Sequence, residues 1–561
     1  MAEQKPFLVP VVVDGTRDQE AFVPDAFRAM QWTRLPRGET PPAFVERIKC
    51  LLSPELSPLS AVSGAAPGLR EPVRATWQSK PVLLAIVAVV CAALAYLFAD
   101  KFWISKHLTS APAAFAPPSH SIAVLPFVNM SGDPSQDYFS DGLTEELLNS
   151  LARINELQVA ARTSSFSFKG KDVDVGTIAH KLNVSAILEG SVRRSAHTVR
   201  VTAQLNNAVT GFHIWSQSYD RDLGDVLQLQ TEIATAVAAA LKVTLLSDAS
   251  ARIEVGGTQI SAAFDAFLRG QKAHNMNYDK ENERAAITAF DEADPLYARA
   301  FANRSIAFCQ YGDEYLDKAR VDANRAIALA PELAEGHMAL GCVSRASLDF
   351  STAGKEFERV VMLDPGNARG LRWLGGHASV MGHPDSGLVY LRRALLLDPL
   401  NPFSYEILGT MLFFAHRYDE AAVAAGRAIS LDATDPDPYA LRGLAYYALG
   451  DLPSGVKSCE AKPDNLETQS CLAILYQRLG RKADAESLLS NARKQYGDSG
   501  AYTYARIYSQ WGQIDKALEW LDAAMRLRDS DLVGLKTDPL MDPLRKEPQF
   551  QAIERELKFT D

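Results

Sequence analysis

Two stretches, 361-VMLDPGNARGLRWLG-375 and 395-LLLDPLNPFSYEILG-409, lie 34 residues apart and follow one plan. In each, an apolar run stops at Asp-Pro and a new run begins. The joint recurs at Asp294-Pro295, Ala330-Pro331, Asp364-Pro365, Asp398-Pro399 and Asp432-Ala433, at successive spacings of 36, 34, 34 and 34. Inside the period, residue size returns where two packed helices need it. Gly341, Gly375, Gly409 and Gly443 permit close helix approach, Ala319, Ala353 and Ala421 recur in the second helix, and Gly382, Gly450, Gly480 and Gly512 fall at the turn between the two. A helix pair of this kind cannot bury its apolar face alone, so copies stack into a solenoid. About eight copies fit between Ala263 and Asp529, the first shortened at "AITAFDEADP" and the sixth irregular at "CEAKPDN".

This period and its joints resemble the tetratricopeptide repeat family. The resemblance implies a curved solenoid whose concave face, lined by the first helix of each repeat, receives a protein or peptide partner. The positions that map to that face are Arg304, Phe308, Arg345, Arg369, Arg372, Phe413, Tyr447, Arg478 and Arg506. Arginine and aromatic side chains dominate binding energy at interfaces. Arg345, Arg369 and Arg372 come from consecutive repeats, so an acidic segment is the expected ligand, anchored beside them by Phe413.

Ahead of the repeats, residues 121–245 alternate strands and helices. "SIAVLPF", "LQVAA", "SAILEGSVRRS", "HTVRVTAQLNNA" and "FHIWSQSYDRDL" read as strands. "QDYFSDGLTEELLNSLARI", "VGTIAHKLNV" and "VLQLQTEIATAVAAAL" read as helices. The segment resembles the TolB amino-terminal-domain-like (FlgO-like) module, which in that family precedes tetratricopeptide repeats. Similar tails follow class III adenylate cyclase domains, for which this chain has too few residues upstream.

Further outward, "PVLLAIVAVVCAALAYLFA" runs uncharged from Pro81 to Ala99, the length a helix needs to span a bilayer. It predicts a single-pass protein of a bacterial inner membrane, with linkers at 53–80 and 100–120. The N-terminus would be cytoplasmic and the C-terminal domains periplasmic, although the flanking Arg70, Arg74 and Lys80 against Lys101 and Lys106 give little asymmetry. At the start, "FLVPVVV" reads as a buried strand without a neighbour. With the following "DGTRDQEAFVPDAFRAMQWTRLPRGETPPAFVERIKCLL" it resembles the last third of a bacterial TIR domain, with Phe7–Val13 as strand and Pro42–Leu52 as final helix. The earlier strands and the glutamate of NAD-cleaving members have no counterpart here.

The expected fold class is therefore multidomain, α/β plus all-α. It comprises a TIR-like fragment (1–52), one transmembrane helix (81–99), a small α/β domain (121–245), a solenoid of repeats (263–529) and a capping segment (530–561). A net charge of −10 argues against a general nucleic-acid binder. There is no phosphate-binding loop, HExxH or nucleophile elbow, and no CxxC pair, so no catalytic residue, metal or cofactor is expected. Asp137, Asp141 and Glu145 read as an acidic helix start, and His337 and His377 as packing or groove residues. Cys309 and Cys342 hold nearly equivalent places in adjacent repeats, where free buried thiols are expected and a disulfide is the alternative in an oxidising compartment. The expectation is a non-enzymatic signalling or scaffold protein. The alternatives are a TIR-domain signalling protein in its complete form and an adenylate-cyclase-associated component.

Overall fold

A computed structural model describes residues 11–12, 33–34 and 115–559, apart from 155, 196, 223–224, 244–255, 276–279 and 312. The chain divides into two units, 1–109 and 110–561. In the first, β1 (Val11–Val12) and β2 (Thr33–Arg34) pair in parallel, with Val11 opposite Thr33 and Val12 opposite Arg34. The remainder of residues 1–52, with the helix expected over 42–52, lies outside the described residues.

The second unit begins with a mixed sheet. Its strands are β3 (Ser121–Val124), β4 (Val128–Asn129), β5 (Gln158–Val159), β6 (Ala186–Arg194), β7 (Thr198–Asn207) and β8 (His213–Asp222). The order is β5-β3-β6-β7-β8, with β4 also paired to β6. β5, β3 and β6 run parallel, whereas β6, β7 and β8 form an antiparallel meander. Alternation along β3 explains its placement: Ile122 and Val124 face one core, and Ala123 the other. The first core takes helices α1 (Asp137–Ala152) and α4 (Val226–Ala240); the second takes α3 (Val175–Leu182). The sequence pattern missed two short elements, β4 and helix α2 (Arg162–Phe166), because neither is long enough to show a period.

Among the described residues, eight antiparallel helix pairs follow. They are α5 (Ser261–His274) and α6 (Lys280–Asp291), α7 (Ala298–Tyr311) and α8 (Leu316–Leu329), α9 (Ala334–Ala346) and α10 (Phe350–Leu363), and α11 (Ala368–Val380) and α12 (Pro384–Leu397). Next come α13 (Pro402–Phe414) and α14 (Tyr418–Leu431), α15 (Asp437–Leu449) and α16 (Leu452–Glu460), α17 (Leu466–Arg478) and α18 (Lys482–Tyr496), and α19 (Ala501–Gln510) and α20 (Ile514–Leu527). The turn inside four consecutive pairs holds a left-handed residue 34 positions on from the last: Leu348, Gly382, His416 and Gly450, at φ 60°, 99°, 57° and 82°. First helices start on asparagine caps: Asn367, Asn401 and Asn465 each accept a bond from the backbone N–H three residues on. At the irregular sixth pair α16 is short, and Cys459 at its end is bridged to Cys471 of α17. Both sulfurs press on Gly443, where a side-chain carbon would overlap them. Cys309 and Cys342 are not bridged.

The sheet module and the solenoid share a core: Phe264, Phe267 and Leu268 of α5, Phe290 of α6 and Tyr297 pack with Leu143, Leu147 and Leu151 of α1. Charges join them as well. Glu146 of α1 and Arg299 of α7 form a buried ion pair, Arg153 Nη2 lies 3.2 Å from Glu335 Oε1, and Arg299 Nη2 lies 3.8 Å from the same oxygen. Burial raises the Glu146 pKa, against the pull of Arg299. Burial acts the same way on Glu335, but Arg153 and Arg299 outweigh it and hold that carboxyl below its ordinary range. Farther along, Ser164 Oγ donates to Asp398 Oδ1 at 2.6 Å and accepts from Leu400 N at 2.9 Å.

Beyond α20 the chain turns back. Two 3₁₀ turns, Ser530–Gly534 and Pro539–Leu544, lead to α21 (Pro548–Leu557). Lys536 Nζ donates to Met381 O at 2.8 Å, Ser509 Oγ to Leu540 O at 2.8 Å, and Phe559 stacks on Phe350. This strap ties the eighth pair to the third and fourth.

The fold class and inner-membrane location expected from the sequence are corrected here. Among the described residues no helix is long and apolar enough to cross a membrane. The stretch 81–99 lies outside them. The fold supported among the described residues is a helical solenoid carrying a sheet module.

Candidate functional site

The first helices of successive pairs present their inner faces to the strap. Between them lies a cavity of about 350 Å³. Its apolar wall comes from α13 and α15: Phe403, Ile407, Met411, Phe414, Leu441 and Leu444. Arg345, Arg372, His377, Arg506 and five carboxylates supply the polar lining.

Four of the nine expected groove residues reach this cavity: Arg345, Arg372, Phe413 and Arg506. Arg345 lies over the Trp373 ring at 5.2 Å, and burial lowers its pKa. Arg372 lies over Phe403 at 5.1 Å and donates from Nη1 to Ser404 Oγ at 2.9 Å. At 9% exposure it is a buried residue, not the open groove residue the helix register implies. Phe413 is buried against Phe414 and Tyr418. Arg506 meets Glu467 Oε2 at 2.9 Å and Asp538 Oδ2 of the strap at 3.1 Å. Burial disfavours its charge, but Asp538 and Glu467 outweigh that and raise its pKa.

The other five lie elsewhere. Arg304 is held by Asp322 and Asp291. Phe308 is buried in a core of its own and stacks on Tyr315. Tyr447 donates to Gln510 Oε1 at 3.0 Å, and Arg478 is exposed. Arg369, with Arg345 and Arg372, acts on the Cys342 thiol, lowering a pKa that burial raises. The three arginines therefore do gather, but around Cys342, and only two of them line the cavity.

What the sequence reading missed is the acid. Five carboxylates line the cavity, from Glu406, Asp437, Glu467, Asp531 and Asp538, against three arginines. Asp538 is 1% exposed and is spoken for by Arg506, the Tyr502 hydroxyl at 3.2 Å and the Leu540 N–H at 2.9 Å. Glu406 is different. No hydrogen bond or ion pair reaches its carboxylate among the described residues, and the charges that act on it are Asp437 and Asp435. Burial, then those two acids, push its pKa up to about 8. Asp437 accepts from Asn465 Nδ2 at 2.5 Å, yet burial, Glu467 and Asp435 still push it up to about 6. The signal was present: Glu406 stands one 34-residue period after Arg372, and Asp437 two periods after Arg369. The register that selected the arginines leads to these acids.

Elsewhere, one amide hydrogen bond and two ion pairs account for the acidic helix start. Asp137 accepts from Asn129 at 2.7 Å, Asp141 pairs with Lys169 at 2.5 Å, and Glu145 with Arg162 at 2.7 Å. Among the described residues no group of His, Cys, Asp and Glu is arranged to hold a metal ion. His337 is a packing residue, bonded to Glu356 at 2.7 Å and Pro331 O at 2.9 Å.

Residues 500–531 match the tetratricopeptide repeat family. The matched residues are those of the eighth helix pair, and the pairs before it repeat the same two-helix plan as a tetratricopeptide-like solenoid. A protein of Rhizobium meliloti (strain 1021), named "Putative adenylate cyclase 3", is 36% identical over 237 residues. The match takes in 42% of this chain and 40% of that relative, so the chain spans well under half of its length. Among solved structures, Pseudomonas aeruginosa PilF is 19% identical with a TM-score of 0.31, covering 36% of this chain and 93% of PilF. YrrB, described as a TPR protein with an unusual peptide-binding site, is 20% identical with a TM-score of 0.26, covering 33% of this chain and 95% of YrrB.

Proposed function

We propose that the chain is a non-enzymatic scaffold of a signalling system that seats a segment of a partner protein in the cavity beneath the strap. The observation that carries this reading is the cavity itself. It is walled by aromatic and aliphatic side chains from consecutive first helices, with a few polar groups to orient a ligand. Arg345, Arg372 and Arg506 are the groove residues retained; Glu406, Asp437, Trp373 and Phe414 join them. Residues 121–245 act as a TolB-like module fixed to the repeats, and residues 1–52 derive from a TIR-like domain.

The test is selection of a random peptide display library on the full chain. Selected peptides are expected to bind the wild type and to lose at least tenfold in affinity on Thr410→Trp, which fills the cavity. Equal binding by that variant, with unchanged melting, places the partner elsewhere.

The likeness to the Rhizobium meliloti protein favours a second reading, in which this tail serves an adenylate cyclase as a sensor or scaffold. The purified chain should then form no cyclic AMP by itself.

A further inference from the structure

The sign of charge in the cavity differs from the one the arginines suggested. Arg506 is neutralised by Glu467 and Asp538. Arg372 is engaged with Ser404 and Phe403. Glu406 and Asp437 line the cavity from adjacent first helices, the Asp437 charge acts on Glu406, and among the described residues no cation does. A half-buried carboxyl in such a place keeps its proton until a positive group approaches it. His377 points the same way. It lines the cavity, is 8% exposed, and its Nδ1 has no hydrogen-bond partner among the described residues. Burial, and then Arg345, push its pKa down to about 4, so it stands as a neutral imidazole that adds no positive charge.

We infer that the cavity takes a basic side chain of a partner protein, its guanidinium or ammonium group meeting Glu406 and Asp437 and its stem lying along Phe403 and Phe414. This inference rests on the protein-binding reading above and supplies the partner's chemistry. Charge complementarity selects a basic occupant: a carboxylate entering here would meet two acids, and an apolar segment would leave the Glu406 carboxyl without a hydrogen-bond partner. The strap closes one side of the cavity, which suits a single inserted side chain better than a segment running straight through.

The probes are Nα-acetyl-arginine methylamide and Nα-acetyl-glutamate methylamide, added at millimolar concentration to the full chain at pH 8. The arginine probe should raise the melting temperature and the glutamate probe should not. Glu406→Gln, which keeps the shape, should abolish at least nine-tenths of the arginine shift. No shift with the arginine probe, an equal shift with the glutamate probe, or an undiminished shift in Glu406→Gln overturns the inference. If the arginine shift holds while library selection yields no cavity-bound peptide, the protein-binding reading fails and the basic-group site stands.

Discussion

The joint between sheet module and solenoid and the cavity under the strap both bury carboxylates, and Glu146 at the joint and Glu406 in the cavity are treated oppositely. At the joint, Glu146 and Glu335 are met by Arg299 and Arg153. In the cavity, among the described residues, the charges that act on Glu406 are those of Asp437 and Asp435. A buried charge with a partner stabilises a geometry, whereas a buried carboxyl without one keeps its proton and ionises only at a cost in free energy. The first arrangement belongs to architecture. The second is what a chain retains when something outside it supplies the missing charge.

The hardest test of this contrast is at the joint. Arg299→Ala leaves Glu146 buried without its cation and should cost about 3–5 kcal/mol. Urea unfolding of the full chain measures it. A loss below about 1 kcal/mol would mean that Glu146 is neutral there and that the joint is held by its apolar core alone.

A smaller effect of opposite sign is expected in the cavity. The folded pKa of Glu406, about 8, stands above the unfolded value of 4.5, so between those limits the folded chain holds the extra proton. Stability from this group is full below pH 4.5 and is lost as pH rises through 8. Besides Asp437 and Asp435, the cavity's charged and titratable side chains are Glu467, Asp531, Asp538, Arg345, Arg372, Arg506 and His377. Glu406→Gln should therefore be more stable than wild type at pH 8, on the order of 1–3 kcal/mol, with the gain vanishing near pH 4.5. A variant no more stable than wild type at pH 8 would show that Glu406 already has its compensation, and the contrast would collapse. The smallest effect is at Arg478, which is exposed and outside both regions. Arg478→Ala should shift stability by no more than about ±0.5 kcal/mol.

The sequence made the repeat legible because helix packing imposes size at fixed intervals. Gly382 and Gly450 sit at left-handed turn positions that the 34-residue spacing marks in advance, and Leu348 and His416 fill the same positions at a cost in strain. Register also brought Arg345, Arg372, Phe413 and Arg506 to one cavity. It could not tell a buried arginine from an open one, because burial of Arg372 depends on Phe403 and Ser404 from the next repeat. Nor could it show the strap, whose two short turns, with Pro539 and Pro543, have no period to read. Seeking only arginines and aromatics hid Glu406 and Asp437. The bridge of Cys459 to Cys471 was overlooked because neither residue falls at an equivalent place in neighbouring repeats, unlike Cys309 and Cys342.

The strap also changes what kind of object the solenoid is. A row of repeats that touch only their neighbours behaves as a spring: it stretches easily, frays from its ends, and gains stability one repeat at a time. Here Lys536 holds the backbone at Met381 and Phe559 lies on Phe350. The last repeat is thereby fastened to the middle of the row, like a spring with its free end hooked back onto an inner coil. Extension and end-fraying of the last six pairs are coupled to release of that hook, so they should open together as one block while the earlier pairs loosen separately.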